Sequence, residues 1–457
     1  MKLSDNLFWI NRNILTDDSY DTIKFLHHYR KTHGNPTHKL KSLLFRSKSL
    51  KWLCKKLLPI YIKNREMVKM IIDNTDKQMD VSIIQTDKDV KRIVSKFQSG
   101  YFVSEKAKKY IMDTQCILET STTIKNKLSI TKINKFAGEK QTLIQLLIPK
   151  KECRTLSHLH FEIPAKYSSF IFFFNVYAFF MMDLSNSDNT DISICLTPFC
   201  KKLPSPPKKQ LGSEEINTGS TSFIASSFFV LKQSISSDSN HSEANPILLW
   251  REEEVSKVLI HELVHSNEFD SSLRGLADKH DILNGFLDRF DIPKNIEIRL
   301  NESYTECWAV FIHSLIASVE FYKKHRKYNK KKQQNGSRKQ LNSIFKIYTQ
   351  ILQFEIEYVC FQIAKILIHF EYTELCQFYK RDFLKCSKRR SKLEYSQDTA
   401  VFSYFFIKGA LLFNFSKFIK FCRTHNKGVS FLQFPNDERV KLEYIQLIYQ
   451  SWENNCQ

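Results

Sequence analysis

Between Ile247 and Arg274 the chain carries neither proline nor glycine. Within that stretch Val255, Val258, Leu259, Leu263 and Val264 recur at spacings that suit a helix packed on a core. The polar residues on this predicted helix constrain the fold most. His261 and His265 stand four apart, which puts their Cβ atoms about 5–6 Å from one another on a helix. Two imidazoles so placed can grip one metal ion. Glu262 is turned from both by one residue, so it is poorly placed to be a ligand but can reach a water beside the ion. A catalytic zinc usually has three protein ligands and an open position, so the fold must bring a third ligand to this helix.

The chain narrows where that ligand comes from. A continuation of the form H-E-x-x-H-x-x-G-x-x-H is excluded, because Glu268 holds the Gly position and Ser271 the last His position. The metzincin class is excluded with it. Further along, Leu300-Asn-Glu-Ser-Tyr-Thr-Glu-Cys-Trp-Ala-Val310 reads as a second helix with two glutamates one turn apart. In this pair of segments, roughly residues 250–312, the chain resembles the gluzincin metallopeptidases, the superfamily of thermolysin-like enzymes. Their second motif is commonly N-E-x-x-x-D, and Asn301-Glu302-Ser303-Tyr304-Thr305-Glu306 fits it with Glu in place of Asp.

The resemblance implies a set of roles. Glu302 would be the third zinc ligand, with Glu306 as the rival for that position. Otherwise Glu306 would hydrogen-bond the outer nitrogen of a zinc-bound His and fix its tautomer. One Zn2+ per chain is implied. The reaction would be peptide-bond hydrolysis through a zinc-activated water, with Glu262 as the general base that passes the proton to the leaving amine. The gap from His265 to Glu302 exceeds the thermolysin pattern, so an insertion between the helices is expected. Gluzincins often take an oxyanion donor from a C-terminal Tyr or His. Tyr404, paired with Lys408 at i and i+4, is the candidate here; His313 is expected to be a helix-face residue, and Tyr304 either lines the cleft or points away. The edge strand beside the active-site helix, sought within residues 216–231, would hold a peptide by main-chain pairing. The rival function is a catalytically inactive zincin-fold binding or scaffold protein, associated with nucleic acid through its basic regions.

Composition bounds the remainder. A length of 457 residues with 42% hydrophobic content supports one large or several smaller cores, and only 10 Gly and 11 Pro argue against a turn-rich all-β protein. Abundant Lys, Ile, Asn and Phe fit an AT-rich coding sequence of the kind found in some large DNA viruses and intracellular microbes. The net charge of +21 favours acidic partners, yet such a genome inflates Lys regardless of function. A protein or peptide substrate is therefore expected ahead of nucleic acid, and the oligomeric state is left open. Eleven scattered cysteines with no C-x-x-C fit reduced, mostly buried thiols. The first ten residues have no long apolar run, so no secretory signal is expected. The apolar run Phe170–Met182 is shorter than the ~20 residues of a spanning helix and is interrupted by Asn175, so it reads as a buried strand or core helix. An intracellular protein without a transmembrane segment is therefore expected, cytoplasmic in the first place, with the nucleus or the virion as alternatives.

The fold class expected is α+β and predominantly helical: a zincin-like catalytic core with a small mixed sheet and the active-site helix, flanked by helical regions. Residues 1–140 read as a basic helical N-terminal region, in which residues 39–58 read as a surface helix with an apolar stripe toward the core. Residues 141–322 hold the core, with strand-like runs at Leu143–Ile148, Leu159–Ile163, Phe170–Met182 and Ile192–Leu196. Residues 323–340 form a basic flexible insertion, and residues 341–457 a helical C-terminal subdomain.

Overall fold

The structure is a computed structural model that describes residues 36–73, 79–84, 87–100, 103–125, 139–149, 165–185, 187–199, 201, 204, 210–212, 216–217, 219–221, 246–252, 254–274, 281–293, 296–328, 337–372, 378–379, 393–426 and 430–455. The expectations for the N-terminal start and for Leu159–Ile163 lie outside these residues. The fold is α+β, mostly helical, with one mixed sheet. The chain forms two compact units, each discontinuous in sequence: one holds residues 1–59, 201–216 and 270–457, the other residues 60–200 and 217–269.

The second unit contains the sheet. Its strands are β1 (Met79–Ile84), β2 (Thr114–Lys125), β3 (Glu139–Pro149), β4 (Asn189–Thr197), β5 (Gly219–Thr221) and β6 (Ile247–Arg251), in the order β1-β2-β3-β4-β6-β5. β1, β2 and β3 pair antiparallel, β3-β4 and β4-β6 pair parallel, and β5 runs antiparallel to β6. Strands β1 and β2 fall inside the stretch expected to be mostly helical. Their sequences, MDVSII and TQCILETSTTIK, mix polar with β-branched residues, as antiparallel strands with one solvated face do. β6, by contrast, is buried at all five positions of ILLWR, the composition of a strand covered on both faces.

Side chains alternate across a strand. Leu248 and Trp250 of β6 therefore join Ile117, Leu147 and Cys195 against Val90, Ile93, Phe97 and Ile111. Those four residues come from helices α3 (Asp87–Ser99) and α4 (Glu105–Met112), which follow α1 (Pro36–Arg46) and α2 (Lys48–Asp73) in the chain. On α1 and α2, Leu40, Leu44, Leu50, Leu53, Cys54 and Leu57 are buried, so the apolar stripe of residues 39–58 serves as core.

The run Phe170–Met182 is helical, not strand: it belongs to the 20-residue helix α5 (Ala165–Leu184). By length and composition α5 could cross a membrane, which its 13-residue apolar run alone did not suggest; 67% of its apolar window is nevertheless buried, as befits a core helix. Asn175 sits within it because Thr142 Oγ1 of β3 donates to its Oδ1 at 2.5 Å, while its Nδ2 donates to the Ile171 carbonyl. Near the C-terminal end, Asp183 accepts from Lys140 Nζ at 2.8 Å, Asn64 Nδ2 at 2.9 Å and Lys63 Nζ at 3.3 Å.

The first unit is helical. Helices α7 (Asp281–Leu287), α8 (Leu300–Tyr328) and α9 (Ser337–His369) follow α6 (Val255–Ser266) in the chain. A π-helical turn (Phe402–Ile407) comes next, and then α10 (Lys408–Phe413), α11 (Phe415–His425) and α12 (Glu438–Asn455). Of the basic stretch 323–340, residues 323–328 extend α8 and residues 337–340 begin α9; the residues between lie outside those described. The unit's core is aromatic. Tyr304 packs edge-on to Trp308, Phe434 and Tyr444.

Candidate metal centre

Helix α6 (Val255–Ser266) carries the two histidines, and all twelve of its residues are buried. It starts abruptly after β6: Glu254 adopts φ 59°, ψ 14°, a left-handed conformation uncommon for a residue with a side chain, and its carboxylate pairs with Lys257 Nζ at 2.9 Å. The far end is fixed by Asn267, whose Nδ2 donates to the Leu263 carbonyl at 2.7 Å and whose Oδ1 accepts from Ser185 Oγ at 2.6 Å. The helix is therefore tied to β6 at one end and to the residue following α5 at the other.

The i, i+4 spacing brings the imidazoles together edge to face, with ring centroids 4.7 Å apart and the two Nε2 atoms separated by 3.0 Å. Two N–H groups cannot face each other at that distance, so at least one Nε2 presents its lone pair. One ligand atom from each of His261, His265 and Glu302 lies within 4.8 Å of the others. All three side chains are under a tenth exposed. Among the described residues, no other trio of His, Cys, Asp or Glu comes this close. This buried group could hold a metal ion. Two imidazole nitrogens and one carboxylate oxygen are a donor set that suits a borderline-soft divalent ion.

Glu302 is oriented locally. Asn301 Nδ2 lies 3.4 Å from its Oε1 and donates to Asp270 Oδ2 at 3.2 Å; the other Asp270 oxygen meets Arg274 Nη2 at 3.2 Å. Asp270 is wholly buried, so this chain of contacts also serves to satisfy a desolvated carboxylate. At the start of α8 the Arg299 backbone N–H donates to Ser403 Oγ at 3.1 Å. The Arg299 guanidinium grips Glu297 through two bonds of 2.7 and 2.8 Å. Those bonds hold its pKa above the ordinary value despite partial burial, and the charges of Glu297, Glu302 and Tyr404 add to the rise.

Glu262, between the histidines in sequence, is 4% exposed. Its Oε2 accepts from Thr221 Oγ1 at 2.8 Å. Glu306 lies one turn beyond Glu302 and is not in that trio; its Oε2 accepts from Lys408 Nζ at 2.6 Å in a largely buried ion pair. Lys408 thus faces Glu306, not an open cleft. Tyr404 is half-buried in the π-helical turn, near enough to Arg299 for their charges to interact. Tyr304 is core: its hydroxyl donates to the Leu432 carbonyl and accepts from Asn426 Nδ2, both at 2.7 Å, and burial drives its pKa well above the ordinary value. His313 Nδ1 stands 3.8 Å from Glu355 Oε1, on a helix face.

Sequence reasoning missed two contributors. Asp270 had a faint signal, an acid five residues past His265. Thr221 had none as a partner of Glu262, because a three-residue strand gains its meaning from where it packs. Comparison with protein-family models, with curated proteins and with solved structures gives no match, so the residues of this centre carry the chemical argument by themselves.

Proposed function

We propose that this chain is a zinc-dependent peptidase of the gluzincin kind, built on a zincin-like core and holding one zinc ion with His261, His265 and Glu302. The observation that carries the reading is the buried trio itself, two imidazoles and a carboxylate within 4.8 Å, with Glu262 on the same helix. Zinc bound there supplies Lewis acidity, polarising a carbonyl and bringing the pKa of water toward ~7.

The chain's own residues supply the rest. Glu262 acts as general base, taking the proton of the attacking water on its carboxylate and passing it to the leaving amine. Asn301 keeps the Glu302 carboxylate in one orientation. Lys408 engages Glu306, which supports Glu302 as the third ligand. The substrate is a peptide in extended form, laid antiparallel along β5. This is supported by β5 being the last strand of the sheet among the described residues, where main-chain groups can pair with an added strand.

The test is Glu262→Gln in purified full-length protein. Zinc content should stay at about one ion per chain, while hydrolysis of labelled casein falls by roughly 10²–10⁴-fold. Retained hydrolysis in that variant would sink the mechanism. Folded parent protein that takes up no zinc would favour the binding-scaffold alternative instead.

A further inference from the structure

Two residues of β5 meet α6, and they do so as a pair. Positions two apart on a strand face the same side, so Gly219 and Thr221 both point toward α6 while Ser220 points away. At Gly219 the approach is tight. A Cβ there would stand 2.6 Å from Leu249 Cδ2, 2.8 Å from Val258 Cγ1 and 3.1 Å from Glu262 Cγ. A side chain there would have to displace Leu249 and Val258, so glycine suits the close approach of β5 to α6.

That close approach delivers the Thr221 hydroxyl to Glu262. Its Oγ1 donates to Oε2 at 2.8 Å and lies 3.1 Å from the Glu262 carbonyl oxygen. Both acceptors belong to one residue, so the hydroxyl stays over Glu262 whichever of them it serves. A β-branched residue has restricted χ1, which makes the anchor stiff. A glutamate has three side-chain torsions, and bonding at Oε2 restricts where its carboxylate can go.

We infer that Thr221 is a positioning residue for Glu262, and that the edge strand aligns the general base as well as the peptide. The inference rests on the peptidase reading. It couples the strand that binds substrate to the group that handles the proton, so a displacement of β5 displaces both. Misplacement of a catalytic group by ~1 Å can lower a rate 10²-fold. Loss of one bond to a carboxylate corresponds to roughly tenfold in rate.

Two measurements on the full-length zinc-loaded protein test this. In the first, Thr221→Val is made in the parent and in Glu262→Leu, and thermal midpoints are compared. A drop of roughly 2–4 °C is expected in the parent and less than half of it in the Leu background. In the second, hydrolysis of labelled casein is followed: Thr221→Val should lower kcat roughly tenfold with KM within about twofold and zinc unchanged, and Thr221→Ser should recover most of the loss. Additive midpoint shifts, an unaltered kcat, or a Ser variant no better than Val would each overturn the inference. Coupled midpoints in a zinc-loaded parent that cleaves no casein would sink the peptidase reading, and Thr221's catalytic role with it.

Discussion

Two glutamates one turn apart on α8 have separate tasks, and their environments say why. Glu302 is drawn into a nitrogen-rich group with His261 and His265, whereas Glu306 faces the buried ammonium of Lys408. Removing each should therefore fail differently. If the centre holds zinc as proposed, Glu302→Ala is expected to reduce it from about one ion per chain to near none, read by metal analysis after dialysis. Glu306→Ala should keep any bound metal and instead lose about 3–5 kcal/mol of stability in denaturant unfolding, because Lys408, only 4% exposed, loses its carboxylate partner and keeps only the Phe405 ring, 5.2 Å away. If Glu306→Ala lost zinc while Glu302→Ala kept it, the ligand assignment would reverse. The pairing of His261 with His265 was legible in the sequence because an i, i+4 relation is local geometry. Which of Glu302 and Glu306 lies beside the two histidines was not, since Glu306 is turned to Lys408, more than a hundred positions away.

At the level of elements, legibility followed periodicity. The apolar cores of β3 and β4 could be read because β-prone residues bounded by polar ones have few other readings. Helix α5 could not be told from a strand, because AKYSSFIFFFNVYAFFMMDL is apolar around much of its circumference and so has no period to detect. β1 and β2 were hidden by the polar residues of their sequences, among them Asp80, Ser82, Glu119, Thr120 and Thr122. β5 does fall within residues 216–231, where an edge strand is expected, but among the described residues only Gly219–Thr221 of that stretch is strand, too short for its bounds to be read from a pattern. The one polar residue deep in α5 gives a sharp test of how this helix is held. Asn175→Leu removes the acceptor of Thr142 Oγ1 and adds a larger apolar group in a filled core. A loss of about 1–3 kcal/mol is expected in urea unfolding, and a pairing with Thr142→Val should recover part of it, since both polar partners are then gone. Non-recovery would mean that packing, not the hydrogen bond, sets the cost.

The molecule as a whole is cationic, and acid should unfold it for two reasons. Its net charge of +21 grows as carboxylates are protonated, which adds self-repulsion to the compact state. Asp183 adds a specific contribution. Burial by itself would raise its pKa, but the charge and hydrogen bond of Lys140, with Asn64 and Lys63, outweigh burial and hold it below the ordinary value. A group depressed in the folded state stabilises fully above its unfolded pKa of about 3.9 and loses that contribution as pH falls through the lower folded value. Asp183→Asn should consequently be less stable than the parent near neutrality and converge on it in acid, as thermal midpoints measured across that range will show. Equal offsets at every pH would remove Asp183 from the account. Helix α6 carries one more implication. With every residue from Val255 to Ser266 buried, it has no outward side on which substitutions could accumulate harmlessly. Helices with a solvent face, such as α3, can drift at their exposed positions while keeping the inner ones. A lineage carrying α6 can revise it only by simultaneous changes in its neighbours, so its twelve letters should be among the slowest parts of the chain to be rewritten.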